Sequence, residues 1–212
     1  MRLFHVLLFF ISISISANEW KFLQTYEGVD LYELQNSSEY ATPFKAIGTI
    51  PVDISSVIKS LLDIDKKHEW APKLKSVELH KDLGKNTFIF SEYYRTPWPY
   101  YDRQFLLMGE LKKEGRTVTF KAKNYKDEKL IHDDHVLASV EILDFVLEEV
   151  SGGTKITFTF NGDMGGWIPS FVSNIIRKKW PLRFIQALER LSKSGKIRTT
   201  DYYINYMKSI EN

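Results

Sequence analysis

The stretch KITFTFN at residues 155–161, followed by WIPSFVSNIIRKKWPLRFIQALERL at residues 167–191, decides the fold class. In the first part Ile156, Phe158 and Phe160 alternate with Lys155, Thr157, Thr159 and Asn161, the period-two pattern of a strand with one buried face. In the second part the period becomes helical. Ile168, Phe171, Val172, Ile175 and Ile176 fall on one stripe, and beyond Trp180-Pro181 a second stripe runs through Phe184, Ile185, Leu188 and Leu191. Pro181 lacks an N–H and crowds the preceding turn, so the helix is expected to kink or break there.

Upstream, the strand pattern recurs. Residues 20–26 and 29–34 flank Glu27-Gly28, a hairpin signature, and 41–50 form a further strand. Asp53 is placed to cap a short helix with Val57, Ile58, Leu61 and Leu62 at helical spacing. Strands at 73–81 and 87–94 flank Leu83-Gly84-Lys85-Asn86, 101–111 pairs with 116–123, and 140–150 reaches 155–161 across Ser151-Gly152-Gly153. About eight or nine one-face-buried antiparallel strands, one early short helix and one long late helix predict an α+β domain. A curved sheet gripping a long helix leaves a tunnel between them that can hold a small ligand.

The 212 residues fit one domain, large enough to be stable without metal or disulfide. There is no cysteine, which removes disulfides, thiolate nucleophiles, cysteine-type zinc sites and lipid attachment through an N-terminal Cys. Residues 1–17 carry Arg2, an apolar run at 3–10 and a small residue, Ala17, before Asn18-Glu19, the layout of a secretory signal peptide. The apolar run is shorter than the roughly 20 residues of a membrane-spanning helix. The competing reading is a retained N-terminal anchor. The expected organisation is a signal peptide at 1–17, a domain at 18–198 and a tail at 199–212 with a short helix, in an exported protein, periplasmic or secreted.

Formal net charge is only +2, but eight cations between Arg177 and Arg198 face a single acid there, Glu189. Such a concentration suits an anionic surface, or an ordinary solvated helix face. No glycine-rich phosphate loop and no Gly-x-Ser-x-Gly elbow occur. His132-Asp133-Asp134-His135 is the one cluster of metal-like content, but it sits in a polar stretch without a frame to hold ligands, and His68-Glu69 is weaker still. Asn36-Ser37-Ser38 is a glycosylation sequon. No metal, cofactor or nucleic acid is expected, and the protein is expected to be a monomer.

Four segments, in order, resemble the START (StAR-related lipid transfer) domain family of the helix-grip superfamily. They are the run from Trp70 through His80, Gly84-Lys-Asn-Thr-Phe-Ile-Phe-Ser-Glu92, Pro97-Trp-Pro-Tyr-Tyr-Asp-Arg-Gln-Phe105, and Asp163-Met-Gly-Gly-Trp-Ile-Pro169 followed by Asn174. The resemblance spans about Trp20 to Lys193. It implies a helix-grip fold, a hydrophobic tunnel with the C-terminal helix as lid, and lipid binding without chemistry. Gln104 stands where the family usually has Asp, which puts that residue's loop contact in doubt. Gly109 stands where cholesterol-binding members tend to carry a second Arg, so a sterol is not implied. The same superfamily contains polyketide cyclases and aromatases, so an enzyme using Glu92 or a histidine in the cavity is the alternative. A third reading is a passive protein whose cavity is filled by its own rings.

Strand periodicity puts Phe88, Phe90 and Glu92 on one face and Arg103, Phe105 and Leu107 on another. Turned inward, these line the tunnel, with Phe171 and Ile175 of the lid helix, and Trp98 and Trp167 complete the candidate ligand-binding set. Glu92 and Arg103 are expected to form a buried or half-buried ion pair, since an unpaired charge there is costly. Arg177, Lys178, Lys179 and Trp180 are the candidate contact with an anionic membrane. The expected cargo is a lipid or another hydrophobic small molecule.

Overall fold

The structure, a computed structural model, describes residues 19–35 and 41–211. The signal segment and the Asn36 sequon lie outside the described residues. In chain order there are β1 (Trp20–Tyr26), β2 (Val29–Leu34), β3 (Phe44–Ile50), α1 (Ile54–Leu62), a 3-10 turn (Ile64–Lys66), α2 (Lys67–Trp70), β4 (Leu74–Gly84), β5 (Thr87–Tyr94), β6 (Arg103–Glu114), β7 (Thr117–Asn124), a 3-10 turn (Glu128–Leu130), β8 (Val136–Val150), β9 (Gly153–Asp163), α3 (Ser170–Lys193) and α4 (Asp201–Glu211).

The strands form one sheet in the order β1-β2-β3-β9-β8-β7-β6-β5-β4. Neighbours are antiparallel, with one departure from the expected pattern. Arg103–Phe105 of β6 pair in parallel with Val136–Ala138 of β8. Because β7 ends at Asn124, the first residues of β8 run past it and reach β6 directly. The β4–β5 hairpin is tighter than the sequence suggested. Lys85 and Asn86, with φ of 48° and 58°, make a two-residue turn of the left-handed kind that matches strand twist.

Asp53 caps α1 as expected, accepting from the Ser56 N–H at 2.9 Å and the Ser56 hydroxyl at 2.7 Å. A hydrogen bond from the Ser55 hydroxyl, with these two from Ser56, holds its carboxyl down to about 2. The α1 and α3 helices lie over the same face of the sheet, joined by a buried contact between the hydroxyls of Ser60 and Ser192 at 2.9 Å.

Helix α3 corrects the sequence reading twice. It begins at Ser170, so Trp167 precedes it, and it runs without interruption through Pro181. The missing proline N–H costs one helical bond, to the Arg177 carbonyl, but Trp180 and Pro181 are both buried and packing holds the two halves in line. A continuous helix has one buried stripe: Ile176, Trp180, Phe184, Leu188 and Leu191. At 100° per residue, Phe171 and Ile175 project roughly 160° away from the centre of that stripe. They are exposed, 56% and 36%. No helix among the described residues is long and apolar enough to cross a membrane.

Candidate functional site

Two apolar cavities lie between the sheet and the helices. The first, about 30 Å³, is walled by rings of the sheet, among them Phe44, Phe105 and Phe158, and closed by Trp180 and Phe184 of α3. The second, about 50 Å³, lies under the end of α1 and the start of α4, between Leu79, Phe88, Phe90, Phe120 and Tyr202. Each is large enough for only a few water molecules.

Lys67 borders both cavities. It projects from the single turn of α2 and forms an ion pair with Glu92 of β5, whose side chain is 3% exposed. The other Glu92 oxygen accepts from the Tyr94 hydroxyl at 2.7 Å. Burial, with the Glu92 carboxylate beside it, pushes the Tyr94 hydroxyl well above its ordinary range, so it stays a donor. The Lys67 ammonium also lies over three rings, 5.6 Å from Trp70, 5.3 Å from Phe90 and 6.0 Å from Phe120. Trp70, on the wall of the first cavity, has its indole N–H buried with no partner.

The expected Glu92–Arg103 pair does not form. In the β5–β6 register Glu92 faces Phe105, and Arg103 faces Tyr94 at the strand's end. There the guanidinium meets the turn that leads into α3. It donates to the carbonyls of Tyr101 at 2.5 Å, Met164 at 3.2 Å, Gly165 at 3.2 Å and Trp167 at 3.4 Å. Its side chain is enclosed without a carboxylate in contact, and burial lowers its pKa. Arg103 is thus a clip that fastens the turn before α3 to the sheet.

Of the other candidates, Phe105 lines the first cavity, and Phe88 and Phe90 the second. Leu107 is wholly buried in the core. Trp98, Trp167, Phe171 and Ile175 do not line either cavity; Trp98 is 92% and Trp167 70% exposed. Conversely Trp180, placed by sequence on a membrane face, is buried over the first cavity and stacks on Tyr94 with centroids 5.8 Å apart. Its neighbours Lys178 and Lys179 are exposed, while Arg177 is half-buried. Sequence reasoning missed Lys67, Trp70, Tyr94 and Phe184. The alternation of β5 and β9 carried a signal for the sheet rings, but nothing in the segment around Lys67 did.

On the outer face, Gln104 makes the loop contact that its replacement of Asp had put in doubt. Its amide donates to the Leu130 carbonyl at 2.7 Å and to Ser91 Oγ at 2.9 Å, and accepts from the His132 N–H at 2.9 Å. His132 and His135 pack edge-on against Tyr93, with His135 Nδ1 2.7 Å from Asp134. Among the described residues no group of three side chains could hold a metal ion.

No protein-family model and no curated protein matches the sequence. Solved structures do. Human STARD10 superposes with a TM-score of 0.77 at 14% identity, covering 89% of this chain and 81% of its own. Human StAR-related lipid transfer protein 5 gives 0.74 at 15% identity, covering 85% and 88%. A STAR-related lipid transfer protein fragment from Xanthomonas axonopodis gives 0.70 at 20% identity, covering 82% and 99%. The order of strands, the long helix over the sheet and these superpositions agree: the chain has the START-type helix-grip fold.

Proposed function

We propose that this protein binds a lipid between the sheet and α3 and carries it without changing it chemically. The observation that carries this reading is the interior itself. Two apolar cavities meet at one buried polar cluster, in a fold shared with structures named for lipid transfer. Among the described residues neither cavity has a histidine on its wall, and both Glu92 oxygens already accept hydrogen bonds, an arrangement suited to holding a ligand rather than moving protons.

The closed cavities are far smaller than a lipid, so loading requires α3 to lift. The helix bond missing at Pro181 marks where its first half can swing, carrying Trp180 away from Tyr94. The surface around the start of α3 suits an anionic membrane. Trp98, Tyr101, Trp167 and Phe171 are exposed, with Tyr100 and Trp167 rings 5.3 Å apart, and Lys178 and Lys179 follow within two turns. This replaces the contact first read around Trp180. With residues 1–17 acting as a signal peptide, the carrier works outside the cytoplasm. Transfer of a fluorescent phospholipid between donor and acceptor vesicles tests the proposal: the protein accelerates it, and a rate equal to the spontaneous one contradicts it.

A further inference from the structure

The rings that wall the first cavity restrict what the cargo is. This inference rests on the carrier reading and deepens it. Nine of the twelve residues lining the first cavity are aromatic, whereas five aliphatic side chains and four rings line the second. Three pairs of rings in the first wall are stacked. Phe145 lies on Phe158 with centroids 4.0 Å apart and planes 7° from parallel, and Phe44 on Phe160 at 5.3 Å and 25°. Both of these pairs lie within the sheet, across the β8–β9 and β3–β9 ladders, so they stay together when a helix moves.

The third pair is placed differently. Tyr94 belongs to β5 and Trp180 to α3, with centroids 5.8 Å apart and planes 26° from parallel. Among the described residues it is the one stacked pair that joins the sheet to a helix. Phe105 stands edge-on to Tyr94 at 5.6 Å and 82° and braces that wall. Trp180 directly precedes Pro181, so it sits at the hinge and travels least when the first half of α3 lifts. A small swing parts the two faces by about one ring thickness, ~3.5 Å, and leaves a flat-walled slot between them.

We infer that Tyr94 and Trp180 are the jaws of a slot for a flat conjugated ring, and that the cargo is a ring-bearing lipid whose aliphatic chain runs past Lys67, the residue bordering both cavities, into the second one. A conjugated ring stacks on both faces at once and restores the contact that opening removes. A saturated ring is puckered and thicker, and a bare acyl chain has no face to offer, so neither fills the slot. The second cavity has no stacked pair on its wall: Phe88 meets Tyr202 at 86° and Phe90 meets Phe120 at 41°. With its five aliphatic side chains it suits a chain and not a ring.

The test uses the full chain and three probes delivered from cyclodextrin: 2-decylnaphthalene, 2-decyldecahydronaphthalene, which has the same carbon skeleton without conjugation, and dioleoylphosphatidylcholine. Retention after gel filtration is measured by mass spectrometry for wild type, W180L, W180F and L79W, the two decyl probes being offered as an equimolar mixture. Two stacking contacts give wild type about a tenfold preference for the naphthalene. In W180L that preference falls to about twofold or less, and W180F, which keeps a smaller face, lies between. L79W, which fills the second cavity, lowers retention of both decyl probes and leaves their ratio as in wild type. Proton NMR of the wild-type complex decides the matter even where W180L fails to fold: naphthalene protons held between two ring faces move upfield. Equal retention of the two decyl probes by wild type, a W180L variant that keeps the preference, unshifted naphthalene protons, or undiminished retention by L79W overturns the inference. Retention of none of the three probes by wild type overturns the carrier reading itself.

Discussion

Gly109 lies directly beneath Phe120, leaving so little room that an added Cβ would come within 2.8 Å of the ring. One missing methyl therefore positions the aromatic seat of Lys67. Gly109→Ala should destabilise the fold by about 1–3 kcal/mol through overpacking, as read by urea unfolding. It should also loosen Phe90 and Phe120, visible as broadened aromatic NMR signals at those two rings.

Arg103 fastens three carbonyls in the turn before α3, those of Met164, Gly165 and Trp167, and a fourth, that of Tyr101, in its own segment. Arg103→Met leaves them buried without a donor, which should cost about 2–4 kcal/mol. Hydrogen exchange should quicken at Met164–Trp167 and the first turn of α3 before it does in β8 or β9. Uniformly faster exchange across the sheet would show that the residue serves the core and not the lid.

The sheet was legible because a half-buried strand writes its inward face at every second residue, as Ile156, Phe158 and Phe160 do. The phase of α3 was not. Reading Pro181 as a break let each half have its own stripe, whereas a continuous helix must follow the stronger set around Trp180, Phe184 and Leu188. That turned Phe171 and Ile175 outward. The Lys67–Glu92 pair was invisible for another reason: its members are 25 residues apart, and Lys67 sits on a single turn too short to show a period. Local pattern fixes which face a strand residue takes, but not which distant charge arrives opposite it.

Helix α4 is held by Arg198, which donates to buried Asp63 at 2.6 Å and to Asp65 at 2.6 Å. Burial raises the Asp63 carboxyl, but the Arg198 hydrogen bonds and charge outweigh it, and its pKa ends below the ordinary 3.8. A depressed folded-state pKa means stabilisation that is complete above the unfolded value and is lost as pH falls through the folded one. Arg198→Ala should therefore lower the melting temperature at pH 7. The gap to wild type should narrow steadily below pH 4, as followed by thermal melts across pH. A gap independent of pH would mean that the guanidinium acts by packing alone.

Membrane contact is expected to depend on rings and charge together. Trp98→Ala with Trp167→Ala should weaken sedimentation with anionic vesicles about tenfold or more. Lys178→Glu with Lys179→Glu should do so by a similar factor at low salt and much less at high salt, since each cation contributes about 1 kcal/mol and is screened. Neutral vesicles should bind weakly throughout. Equal binding to neutral and anionic vesicles would place the contact elsewhere.

The central claim is that the space under α3 holds a lipid. The most direct measurement is organic-solvent extraction of the purified full chain after exposure to a total membrane lipid extract, with mass spectrometry of what it retains. The account predicts a lipid at close to one molecule per chain, lost when Phe105→Trp fills the first cavity. A protein that folds normally and retains no lipid, or retains the same amount with the cavity filled, would contradict it.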